Sequence, residues 1–81
     1  MKIEESEYLG EFQTLGYNLR LLRERLGISQ REAAQAAGIP VRQLELLEQG
    51  MLPKQMGING LFRLCDLFHR NPADLMKRKL N

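Results

Sequence analysis

Cys65 and His69 stand four residues apart, a spacing that brings two side chains onto one face of a helix. They are the first place to look for a metal or a nucleophile. A zinc site needs three or four ligands, and a thiol nucleophile needs a base held in place by a further group. The chain has one Cys and one His, so Cys65 is read as a small inward-facing core residue that cannot form an internal disulfide. There is no phosphate-binding glycine loop, no paired-carboxylate cleft and no Ser/His/Asp set. The expectation is no metal, no cofactor and no enzymatic activity.

The remaining chemistry is hydrogen bonding and charge, concentrated between Ser29 and Gly50, SQREAAQAAGIPVRQLELLEQG. Ser29-Gln30-Arg31-Glu32 is a capping box, in which the Ser hydroxyl and Glu carboxylate each satisfy a free backbone N–H at a helix start. Ala33, Ala34, Ala36 and Ala37 leave room for another helix to approach. Gly38 supplies a turn, and Pro40 fits the first turn of the next helix, where its missing N–H costs nothing. Val41 to Gln49 alternates at helical spacing, with Leu44 and Leu47 inward, and Gly50 stops it. Two short helices joined by a tight glycine turn are the mark of a helix-turn-helix, the geometry that lays a helix into a DNA groove.

Three further helices must position that unit. Thr14 is expected to cap a first helix running to about Leu26, with Leu15, Leu19, Leu22 and Leu26 as one apolar stripe and Gly27 as its left-handed stop. Met51 to Gly57 reads as a connection. A fourth helix runs from about Ile58 to Phe68, with Leu61, Leu64, Cys65 and Phe68 inward, and His69 ends it in a left-handed conformation. Asn71-Pro72-Ala73-Asp74 opens a fifth helix that frays into Lys77-Arg78-Lys79. The fold class is all-α, five short helices with no strand-period run.

Eighty-one residues make one domain with a thin stability margin, which a dimer interface would help. Residues 1–13 form an acidic arm, residues 14–76 the folded domain and residues 77–81 a basic tail. The arm holds four acids and one base, a charge of −3, leaving +5 on residues 14–81. A basic body is common among nucleic-acid binders. No apolar run approaches membrane length, and the first dozen residues lack a secretion signal, so a cytoplasmic location is expected. Phe62, Leu67, Leu75 and Met76 offer more apolar surface than one small core needs, and they are assigned to a homodimer interface.

From Leu15 to Met76 the chain resembles the phage repressor and Cro-like regulators of Xre type. The residues that carry the resemblance are LxxNLRLLRERLGISQREAAQAAGI, then LELLEQG, then LFRLCDLFHRNPADLM. It implies a repressor-like five-helix domain with a central helix-turn-helix. It also implies that Gln30 touches the DNA backbone and braces the recognition helix, and that Val41, Arg42, Gln43 and Leu46 face base edges in the major groove. Gln49 and the following loop with Lys54 would meet phosphates, and Arg23 and Glu48 would form a structural ion pair. Val41 and Leu46 are apolar where related helices commonly carry hydrogen-bonding residues, Pro40 stands where a Ser or Thr cap is common, and the loop carries Met51, Leu52 and Met56 in place of a basic cluster.

The resulting expectation is a DNA-binding transcriptional regulator, a repressor or autoregulator, bound as a homodimer to a two-fold double-stranded operator with no small-molecule effector. The alternative is a protein-binding module on the same scaffold, an antiactivator or antitoxin that would hold a protein partner with Val41, Leu46, Met51, Leu52 and the acidic arm.

Overall fold

The structure is a computed structural model that describes residues 2–53 and 56–80, with side chains from residue 10 onward. Five helices follow one another: α1 (Lys2–Leu26), α2 (Gln30–Ala37), α3 (Val41–Glu48), α4 (Ile58–Leu67) and α5 (Pro72–Lys77). There is no strand among the described residues. α1 starts at Lys2, a dozen residues before the expected cap. Thr14 caps nothing; its hydroxyl donates to the Gly10 carbonyl one turn back at 3.0 Å, as a hydroxyl inside a helix does. Half-buried Phe12 packs against the core, so the turn just before Thr14 has a face to bury. The buried stripe of α1 is Leu15, Leu19 and Leu22. Leu26 lies 57% exposed, since it is the last residue before the chain turns away.

Four helices stop by the same device. A residue one or two places past the helix end adopts a positive φ and donates three residues back, and the next amide donates five back. The pairs are Gly27 to Glu24 with Ile28 to Arg23, Gly38 to Gln35 with Ile39 to Ala34, Gly50 to Leu47 with Met51 to Leu46, and His69 to Asp66 with Arg70 to Cys65. His69 is the one non-glycine residue in this role among the described residues, at φ 56°. The capping box at Ser29 is complete: Glu32 N donates to Ser29 Oγ at 3.0 Å, and Ser29 N to Glu32 Oε1 at 2.8 Å. Asn71 caps α5 by accepting from Ala73 N. Pro40 is the N-cap residue of α3 itself, one position earlier than expected, and it offers no side-chain cap.

α1 lies against α3 and α5, and α2 lies against α3 and α4. Ala33, Ala34 and Ala37 are buried where α2 meets its neighbours, while Ala36 faces out. Leu44, Leu47, Leu64 and Cys65 complete the interior with Phe68. Leu75 belongs there too, with no exposed surface, because α5 turns it toward α1. It is therefore not available to a dimer interface. Leu67 and Met76 are half-buried against the core, and Phe62 is half exposed.

Two residues that periodicity left unremarked set how α1 meets its partners. Gly16 faces the end of α3, and a Cβ there would drive into the carbonyl of Leu47. Asn18 is fully buried, and its amide holds the C-terminal tail. Nδ2 donates to the carbonyls of Leu75 and Arg78, both at 2.9 Å, and Oδ1 accepts from Leu80 N at 2.7 Å. Both amide hydrogens and the oxygen are thus used, so a buried polar group costs nothing unsatisfied. The tail expected to fray is instead strapped along α1, with half-buried Leu80 against the core and the Lys79 ammonium 5.0 Å from the centre of the Tyr17 ring.

Gly16→Ala forces backbone apart at the α1–α3 contact. It should cost about 3 kcal/mol of folding free energy, the upper range for overpacking, read as a lowered urea midpoint. Gly10→Ala, where nothing lies within 4 Å, should stabilise the same helix slightly.

Candidate nucleic-acid interface

The capping box starts α2, and the glycine stop at Gly38 delivers α3 across it. What fixes their relation is a cluster at the far end of α3. The Arg23 guanidinium grips Glu48 with two bonds, Nε to Oε2 at 2.7 Å and Nη2 to Oε1 at 3.0 Å. Its Nη1 donates to the Ile28 carbonyl at 2.9 Å, just past the end of α1. Gln30 Nε2 donates to Glu48 Oε1 at 2.9 Å. One carboxylate therefore joins α1, α2 and α3. The side chains are 12% exposed for Arg23 and 4% for Glu48, so the pair sits largely out of water. The pKa of Arg23 is raised, first by its hydrogen bond to Glu48 and further by the charges of Glu48 and Glu24, against the opposing pull of burial.

Arg63 makes a second lock. Its Nε donates to the Ala37 carbonyl at 2.7 Å, and its guanidinium lies beside Gly38, so α4 holds the turn between α2 and α3. Arg63 is 26 residues from Ala37 in the chain, and the fold brings it to the C-terminal end of α2, where a positive charge is favoured.

With its inner face anchored by Leu44 and Leu47, α3 offers a narrow outer stripe of exposed Arg42 and Gln49 with half-buried Glu45 between them. The Arg42 side chain is 70% exposed, and its Nη1 rests 3.3 Å from Glu45 Oε1. Gln49 is exposed, and Gln43 and Leu46 are half-buried on the flanks. Val41 is half-buried and packs on the core, so it supports the helix start more than it presents a surface. Gln30 lies at the start of α2, tied to the brace. Lys54 falls outside the described residues. A polar hollow of about 550 Å³ borders the stripe, lined by Arg20, Arg23, Gln30, Glu45, Glu48 and Gln49. The arrangement suits an anionic, hydrogen-bonding partner: an exposed guanidinium on the first turn of α3 held only by the surface contact to Glu45, amides at its far end and on α2, and a braced base beneath them. Arg20, beside Gln30 and Gln49, joins that surface through the tertiary structure; sequence spacing gave no sign of it.

Elsewhere the chemistry is thin. Cys65 is buried, which pushes its thiol up to about 11 and keeps it protonated and unreactive at neutral pH. No group of three or more His, Cys, Asp or Glu among the described residues could hold a metal ion. No described helix is long and apolar enough to cross a membrane. A shallow apolar groove of about 300 Å³ lies between Phe12, Leu52, Met56, Ile58, Leu61 and Met76.

A family model described as a helix-turn-helix domain matches residues 14–76, from the middle of α1 to within α5. No curated protein and no solved structure matches the chain.

Removing Glu48 leaves the Arg23 guanidinium unpaired and strips Gln30 of its acceptor. Glu48→Ala should destabilise the fold by about 3 kcal/mol, the lower range for breaking a buried pair, measured by urea denaturation. Glu45→Ala, at an exposed pair on the same helix, should move the midpoint little.

Proposed function

The chain belongs to the helix-turn-helix domain family, a class of DNA-binding module that is typically not enzymatic, and on that premise we propose that it is a sequence-specific transcriptional regulator of Xre type. It acts in the cytoplasm as a repressor or autoregulator. The observation that carries the reading is Arg42: a guanidinium on the first turn of a braced helix, exposed and held only by a weak surface contact. Arginine there can grip guanine O6 and N7 with two hydrogen bonds, worth about 1–3 kcal/mol of discrimination between bases. An exposed pair such as Arg42–Glu45 is worth about 0–1 kcal/mol, so guanine outbids Glu45. Glu45, once released, can accept from a cytosine amino group, and Leu46 can meet a thymine methyl. Gln43 supports adenine reading, and Gln30, Gln49 and Lys54 contact phosphates.

The operator is two-fold and the protein a homodimer, with half-sites about 34 Å apart so that each α3 enters a major groove. Phe62 supports this, half exposed on α4, whereas half-buried Leu67 and Met76 border other hollows, beside Leu22 and Leu26 and beside Ile58 and Leu61. A second reading, capture of a protein partner, draws on the exposed Leu52 and Ile58 at the mouth of the apolar groove.

A gel-shift against the DNA upstream of the protein's own coding sequence tests the first reading. Retarded complex is expected at low salt, and Arg42→Ala should weaken it by about tenfold or more. Absence of complex with a folded protein favours the protein-partner reading; a complex indifferent to Arg42→Ala removes the base-reading role of that residue. Light scattering at tens of micromolar should give a dimer mass, and Phe62→Glu a monomer; a wild-type monomer contradicts the two-fold arrangement.

A further inference from the structure

The outer stripe of α3 does not end at Gln49. Arg20 shares the polar hollow with Gln30, Glu45 and Gln49, and it projects from α1 62% exposed, paired only with exposed Glu24 at 3.1 Å. Tyr17, three residues earlier on the same face of α1, is 43% exposed. The Lys79 ammonium lies against its ring. An unbroken run thus leads from the recognition stripe across Arg20 and Tyr17 to the C-terminal tail. The tail is there because Asn18, wholly buried, spends every hydrogen-bonding group of its amide on the backbone of residues 75, 78 and 80. A basic tail needs no such anchor merely to stay solvated.

We propose that Lys79, with Tyr17 and Arg20, is a second phosphate grip that holds the DNA backbone flanking the groove helix. This rests on the DNA-binding reading above. The contact with the Tyr17 ring leaves the ammonium's hydrogens free to donate to phosphate oxygens, and the phenol adds a further donor. Phosphate displaces Glu24 from Arg20 as the stronger anion field. Because Asn18 has already ordered the tail backbone, little conformational entropy is lost when phosphate binds, and the contact keeps more of its gross energy. Phosphate contacts position a reader without carrying sequence, so the grip adds affinity and orientation to a recognition stripe that offers few base contacts.

The test is fluorescence anisotropy with a labelled mixed-sequence duplex of about 30 base pairs across a KCl series, since phosphate contacts dominate non-specific binding. Lys79→Ala and Arg20→Ala, both at exposed sites, should each flatten the plot of log affinity against log salt by about 0.9, so that affinity lost between about 50 and 200 mM shrinks roughly 3.5-fold per variant. Lys79→Arg should keep the wild-type slope. Arg70→Ala is the control for net charge: Arg70 lines a hollow with Leu22, Arg25 and Leu26, on the other side of α1, and should leave the slope unchanged. Equal slopes for wild type, Lys79→Ala and Arg20→Ala overturn the grip, as does an equal effect of Arg70→Ala. If the wild type binds no duplex at low salt, the DNA-binding reading falls and takes the grip with it. An unchanged slope beside intact Arg42-dependent retardation removes the grip alone.

Discussion

Glu48 sits at the last turn of α3 with a side chain 4% exposed, and three helices converge on its two carboxylate oxygens. Burying that charge is expensive, and the Coulombic return from Arg23 offsets the cost only because the geometry is two-pronged and the remaining groups are paired. They are: Arg23 also reaches the Ile28 carbonyl, and Gln30 supplies a further donor to Glu48. A hydrophobic cluster at the same place would hold the helices together without choosing their angle. A fork of directed hydrogen bonds accepts one arrangement of α1, α2 and α3, and that arrangement decides which side chains of α3 face outward.

The close approach of α1 to α3 acts beside that constraint. Two turns before Arg23 the backbones of α1 and α3 come together, and Gly16 leaves space there for the Leu47 carbonyl. Arg63 acts on the other side, pinning the α2–α3 turn from α4 through the Ala37 carbonyl. With both ends of the helix-turn-helix held, α3 is a rigid presenter whose eight residues need little stability of their own. The cost is a narrow outer stripe. Val41 is taken up by packing and Gln43, Glu45 and Leu46 are half-buried, so only Arg42 and Gln49 stand fully outward.

On the proposed reading, a narrow stripe on α3 gains orientation from charge outside that helix, and the fold places such charge on α1 and the tail. The acidic and basic residues are not mixed evenly along the chain: residues 1–13 carry −3 and the rest +5. The tail that carries Lys77, Arg78 and Lys79 returns to α1 and is tied to Asn18 there, so its charge has a fixed place on the surface. α1 thus serves as a spine with distinct faces: Leu15, Leu19 and Leu22 to the core, Gly16 and Arg23 to α3, Asn18 to the tail, and Tyr17 and Arg20 to solvent.

What the chain order determined alone is whatever physics confines to a few neighbouring residues. The capping box at Ser29, the stops at Gly27, Gly38, Gly50 and His69, the Asn71-Pro72 start and the burial of Leu44, Leu47, Leu64 and Cys65 are all local in cause, and each is legible by type and spacing. Arg23 and Glu48 were legible only through resemblance, since 25 residues separate them. The start of α1, the need for Gly16, the roles of Asn18 and Arg63, the exposure of Leu26 and the burial of Leu75 depended on tertiary structure. Gly16, Asn18, Arg63 and Leu75 are set by contacts with residues distant in sequence, and helical periodicity says which side chains share a face without saying what that face will meet. The same limit governs the candidate site. Arg42 and Gln30 could be named from the sequence, but how far the surface extends past them, through Arg20 and Tyr17 to Lys79, exists only once the tail has folded back on α1.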